Sequence, residues 1–170
     1  MRFGPADFEK SGSRHYIMVV KMRKPESFSA ASQRSCPDDP LLYFDVKMKK
    51  LMLSGKIHTA RLTDCQIDYE GSLEIDPELL AEADILPYEK ILVSNRANGA
   101  RLETYAIPGE PGKRRFCLNG PAAKLGSPGD IVTIMAFSLI DVEEAKHWIP
   151  RVIVLDENNE IKLRKGDRKL

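Results

Sequence analysis

The residues that could do chemistry in this 170-residue chain fall in four short stretches. The most unusual is Gly71-Ser72, inside DYEGSLEID. A serine hydroxyl can attack the carbonyl of the residue before it when the backbone is held in a strained turn. Glycine at 71 permits backbone shapes that few residues tolerate, and it leaves its carbonyl unshielded. Attack would move the acyl group from nitrogen to oxygen. Loss of the Ser72 Cα proton would then cut the chain after Gly71. Hydration and loss of ammonia would leave a pyruvoyl group on the new terminus. The plain alternative is a turn, since Gly and Ser are ordinary turn residues, and the pair by itself favours the turn. The other stretches are GKIH, RLETYAI and LNGPAA. The first places Lys56 and His58 on alternate strand positions, so both project from one face. In the second, Arg101 and Tyr105 share a face and Thr104 takes the other. The third offers Asn119 and the backbone around Gly120.

These stretches must be positioned by short strands. KLMLSGKIHTARLTDC (50–65) alternates as a strand, with Leu53, Ile57 and Leu62 on its buried face. SLEID is a second strand. Pro77 sits at the first turn of a short helix, PELLAEAD, with Asp76 as its cap. KILVSN, RLETYAIP, RRFCLNG and IVTIMAFSLI follow as strands, and Ala97-Asn98-Gly99 is a turn between the first two. DVEEAKHW is a short helix or turn, and RVIVLDENNEIKL is a closing hairpin. That makes about seven or eight short strands and two short helices, with no long crossover helix, which predicts a compact β-barrel. Residues 1–47 are rich in Ser, Pro, Gly and mixed charge around one short strand-like run, YIMVVKM. They read as a flexible extension or a start-site artefact, with Met48 as an alternative start. Residues 48–165 form the domain and 166–170 a short tail.

Composition excludes several classes. Lys+Arg is 26 and Asp+Glu 25, for a net charge of +1. That balance makes no general case for nucleic acid or membrane binding. Cys36, Cys65 and Cys117 lack metal-ligand or redox spacing and read as free thiols of a reducing, cytoplasmic compartment. His15, His58 and His147 are too scattered for a zinc site, so no metal is expected. There is no Walker loop, no GxGxxG and no internal repeat. No run is long enough to span a membrane.

Read together, MLSGKIH, YEGS, NG.R..TYAI, NG.AA and GD.V closely resemble the aspartate 1-decarboxylase family, the small pyruvoyl enzymes of pantothenate synthesis. The resemblance covers about residues 48–163. It implies a six-stranded double-psi β-barrel, made as a proenzyme that cuts itself between Gly71 and Ser72. It also implies a homotetramer of the processed α and β chains that converts L-aspartate to β-alanine and CO2. The cofactor would be a covalent pyruvoyl group derived from Ser72, with no metal or external cofactor. Tyr105 would donate the proton that replaces the departing carboxylate. Thr104 and Asn119 would steady oxygen charge during processing, and Thr104 would later contact the substrate. Arg101 would grip one substrate carboxylate through its planar fork, with Lys56 balancing the second as a point charge. His58 and Tyr69 would make supporting contacts. Gly120, Pro121 and Ala122 would line the pocket, with Pro121 replacing the more usual alanine and removing an amide donor. Ser94 stands where some relatives carry Trp, and Trp148 reads as a packing anchor. Some relatives mature with an accessory partner and others alone, and the sequence leaves both open. Two rival readings are a non-processing β-barrel with an assembly role, and a pyruvoyl decarboxylase of another acidic amino acid such as glutamate.

Overall fold

The computed structural model describes residues 17–21 and 45–166. Most of what was expected of 1–47 and of the tail, together with Cys36 and His15, lies outside the described residues. The fold is mainly β with short helices. The strands are β1 (Ile17–Lys21), β2 (Asp45–Arg61), β3 (Asp64–Gln66), β4 (Ser72–Ile75) and β5 (Lys90–Asn95). They continue with β6 (Arg101–Pro108), β7 (Phe116–Asn119), β8 (Ile131–Asp141), β9 (Arg151–Leu155) and β10 (Ile161–Lys165). Two α-helices, α1 (Pro77–Glu82) and α2 (Val142–Ala145), and a 3-10 helix (Gly120–Leu125) complete the elements.

The strand count exceeds the expected seven or eight for two reasons. β1, inside the extension, pairs with the start of β2. The stretch 50–65 also divides, because Leu62 and Thr63 leave the ladder to bond the carbonyls of Asp130 and Phe116. The hydrogen-bonded path runs β10-β9-β2-β8-β5-β6-β4-β7-β3, with β1 on β2. Three pairings on it are parallel: β2 with β9, β4 with β6, and β3 with β7. The rest are antiparallel.

Alternation decides what faces inward. Ile57, Leu73, Ile75, Ile91, Ile134 and Ile153 are fully buried, and each contributes about 1.5–3 kcal/mol by leaving water. β2 shifts register between Leu53 and Gly55 and again between Ile57 and Ala60. The first shift hands the inward place to Ser54 and Gly55, so Leu53 is only half-buried. A Cβ at Gly55 would run into the Ala83 carbonyl oxygen, so the end of α1 packs directly on the β2 backbone. Asp76 caps α1 by accepting the Glu78 amide at 3.0 Å, with Pro77 in the first turn. Among the described residues, no helix is long and apolar enough to cross a membrane.

Candidate active site

Ser72 opens β4, and its side chain is 1% exposed. Along β4, Leu73 and Ile75 point into the core, so Ser72 and Glu74 take the opposite side. β4 lies between β6 and β7, with Ser72 opposite Asn119 and Glu74 opposite Cys117. The Asn119 side-chain amide donates to the Ser72 Oγ at 3.0 Å. In turn the Cys117 thiol donates to the Asn119 Oδ1 at 3.2 Å, and it stands 3.8 Å from the Leu118 carbonyl. A buried serine hydroxyl is thus the end of a short side-chain chain.

The left-handed glycine of this region is Gly120, at φ +61, and not Gly71. A Cβ at 120 would lie 2.8 Å from the Tyr69 carbonyl oxygen and 2.9 Å from both the Cα and the nitrogen of Gly71. The bare Gly120 backbone therefore presses on residues 69–71. The conformational freedom expected at Gly71 is used at Gly120. At Gly71 the nearest atom to an added Cβ is Pro121 Cδ, at 3.7 Å, which is ordinary contact. What the missing side chain secures there is an unshielded carbonyl. Pro121 opens the 3-10 helix, where a missing N–H leaves no hydrogen bond unmade. Ala122 packs against the core, and Tyr69 is exposed.

Tyr105 and Ser72 stand on the same side. Leu73 pairs in parallel with Ala106, and both are buried. The residues before them, Tyr105 and Ser72, therefore share the outward side of the β4–β6 pair. The Tyr105 ring is 37% exposed, so it is open to a small molecule. Thr104 takes the other side of β6, with Leu102 and Ala106, and pairs with buried Ile91. Arg101 is outward like Tyr105, roughly 13 Å along the strand at a rise of about 3.3 Å per residue.

Lys56 and His58 occupy alternate positions of β2, half-buried, while Ile57 between them is in the core. His58 Nδ1 contacts Thr133 Oγ1 at 3.2 Å. Thr133 pairs with Ser94, and Ser94 pairs with Arg101. One cross-sheet row thus joins His58 to Arg101 through β8 and β5. Burial holds the His58 imidazole below its ordinary pKa, and the charges of Lys56, Lys165 and Arg96 push it the same way. Three cations thus lie near the His58 imidazole and favour its neutral form. The structure gathers Ser72, Asn119, Gly120, the 69–71 backbone and Tyr105. It sets Lys56, His58 and Arg101 along the outward surface and leaves Thr104 on the core side.

Sequence reasoning missed the supports. Cys117 and Cys65 are free thiols, yet nothing in the spacing of Cys117 shows that it touches Asn119. Arg115 bridges Glu74 and Asp64, 3.0 Å to each. Glu74 and Asp64 flank Cys117 on β4 and β3. Among the described residues, no group of three or more His, Cys, Asp or Glu side chains could hold a metal ion.

The site is thus a buried serine behind a bare glycine, its hydroxyl held by a side-chain amide on a mainly β scaffold. The aspartate decarboxylase family model matches residues 48–162, and the chain belongs to that family. It is 53% identical over 110 residues to the aspartate 1-decarboxylase of Salinibacter ruber, covering 65% of this chain and 75% of the relative. That of Thermoanaerobacter pseudethanolicus is 50% identical over 112 residues, covering 66% of this chain and 96% of the relative. That of Moorella thermoacetica is 48% identical over 122 residues, covering 71% and 95%.

Proposed function

We propose that this chain decarboxylates L-aspartate to β-alanine and CO2, the step that feeds pantothenate synthesis, after cutting itself between Gly71 and Ser72. The observation that carries the reading is the buried Ser72 Oγ, held by Asn119 at 3.0 Å behind the unshielded Gly71 carbonyl. Gly120 pressing on residues 69–71 supplies the constraint that a strained peptide needs. The contact is so close that any side chain at 120 would displace residues 69–71, and this fits a site whose Gly71-Ser72 backbone is itself rewritten. Asn119 fixes the attacking oxygen through its side-chain amide. Asn119 is the donor in contact with Ser72, while Thr104 lies on the other side of β6.

The resulting pyruvoyl group on residue 72 supplies a carbonyl that takes up the substrate amine and holds the electrons left when CO2 departs. The chain's own residues do the rest. Arg101 grips one substrate carboxylate, and Lys56 balances the other. Tyr105, beside residue 72 and open to solvent, delivers the proton to the carbon that lost CO2. His58, kept neutral by burial and neighbouring cations, and Tyr69 make supporting contacts. Gly120, Pro121 and Ala122 line the pocket with main chain. The spread of Lys56 and Arg101 along the outward surface supports assembly of the processed chains, with neighbouring copies of a homotetramer closing the site. We read the three parallel pairings among antiparallel ones as the crossovers of the family's six-stranded double-psi barrel. Maturation proceeds alone or with an accessory factor, in the cytoplasm.

Intact mass of the denatured protein tests this. Two fragments split after residue 71 are expected, the second lighter by the change from serine to pyruvoyl. Ser72→Ala stays whole and inactive. A full-length wild-type mass that persists through prolonged warm incubation would sink the reading.

A further inference from the structure

Resting on that reading of the Gly71–Ser72 seam, we infer that Cys117 is a positioning residue for self-cleavage, acting through Asn119. The side-chain amide of Asn119 has two faces of similar shape, an oxygen and an NH2. Only one orientation offers an N–H to the Ser72 hydroxyl. The reversed amide would accept the hydroxyl's proton instead, and the attacking oxygen would lose the donor that fixes it in place. Something must therefore hold Asn119 one way round. The Cys117 thiol does so, because its S–H donates to the Asn119 Oδ1 at 3.2 Å. That leaves the Asn119 Nδ2 to Ser72 at 3.0 Å. An S–H is a weak donor, but Cys117 is fully buried and hydrogen bonds in a chain polarise one another there.

The surroundings direct the thiol proton to Asn119. The Cys117 neighbours on the outward row are Glu74 and Asp64, and either carboxylate would be a stronger acceptor than an amide oxygen. Arg115 occupies both, 3.0 Å from each. The remaining competitor is the Leu118 carbonyl, at 3.8 Å. Burial pushes the Cys117 thiol up, against the pull of Arg115, and the nearby Asp64 and Glu74 push it the same way as burial. The sulfur therefore keeps its proton at neutral pH and remains a donor.

In the step this arrangement serves, the bond from Ser72 Oγ to the Gly71 carbonyl carbon forms. The bond from that carbon to the Ser72 nitrogen breaks, and the hydroxyl proton ends on that nitrogen. No outside reactant is required. Cys117 touches none of the reacting atoms. It fixes the group that does.

The test compares maturation of full-length wild type, Cys117→Ser and Cys117→Val by intact mass over time. Hydroxylamine trapping measures the ester fraction. Serine keeps a donor, and that variant is expected to process within about threefold of wild type. Valine keeps the bulk and loses the donor, and it is expected to slow by about tenfold or more, with less trappable ester, since a tenfold loss is a modest change in barrier. Thermal unfolding accompanies each variant. If the valine variant does not unfold cooperatively, Cys117→Ala serves as the donorless comparison under the same criterion. Equal processing with and without the donor overturns the inference, as does a serine variant as slow as the donorless one. A wild-type chain that never cuts refutes the underlying reading instead.

Discussion

Gly120→Ala is the most direct probe of how the fold strains the seam. The new Cβ would lie 2.8 Å from the Tyr69 carbonyl oxygen and 2.9 Å from the Cα and nitrogen of Gly71. Ordinary carbon contacts lie at about 3.5–4.0 Å, so residues 69–71 must retreat by roughly 0.5–1 Å. The backbone at 120 is left-handed, at φ +61, which costs a residue with a side chain about 1–2 kcal/mol. A loss of that order leaves an ordinary domain folded. The seam responds far more steeply, because a misplacement of about 1 Å between reacting atoms can cost ~10²-fold in rate. The expected result is a fall in unfolding free energy of at least ~1–2 kcal/mol, since the atoms that must shift are backbone, alongside a maturation rate slower by about two orders of magnitude. Chemical denaturation gives the first quantity and a time course of intact mass the second. If Gly120→Ala matured at the wild-type rate while folded, the idea that Gly120 positions the scissile peptide would be wrong.

Other predictions follow from the same contacts. Asn119→Ala removes the donor that positions Ser72 Oγ at 3.0 Å and is expected to slow maturation by up to about 10²-fold, read on the same mass assay. His58 should titrate below its ordinary 6.5 by NMR, and Lys56→Met should move the midpoint up by removing a nearby positive charge. Because its folded pKa is the lower one, the His58 contribution to stability is complete above 6.5 and is lost as pH falls through the folded value. Asp76 is fully buried and accepts the backbone amides of Glu78 and Arg114 and the Arg114 guanidinium. Burial opposes its ionisation, but these donors, with the Gly112 amide, hold its carboxyl below the usual range. Its contribution is thus present above 3.8 and lost as pH falls through the folded value. Asp76→Ala is expected to cost about 2–4 kcal/mol at neutral pH through the lost helix cap and charged hydrogen bonds, measured by urea unfolding, since Arg114 keeps Glu78 and Glu160 as partners.

Much of this protein is legible one residue at a time. The strands KILVSN and RLETYAIP, the Asp76 cap before Pro77, and the outward side shared by Arg101 and Tyr105 follow from local alternation and turn chemistry. They hold because a strand with one buried face must alternate. The family motifs single out Gly71-Ser72. Other features were not legible. Leu53 loses its inward place to a register shift that depends on β8. The left-handed backbone sits at Gly120 rather than at Gly71, because the opening of the 3-10 helix meets residues 69–71 there. Cys117 looked like an inert thiol until β7 laid it between Glu74 and Asp64 and against Asn119. The sequence by itself determined which residue types are available and, wherever a strand runs without a register shift, which face they occupy, since local alternation sets both. Only the tertiary structure decided which of them touch Ser72. Those contacts join residues up to 47 positions apart, and their register is fixed by strand pairing and core packing, which no local pattern encodes.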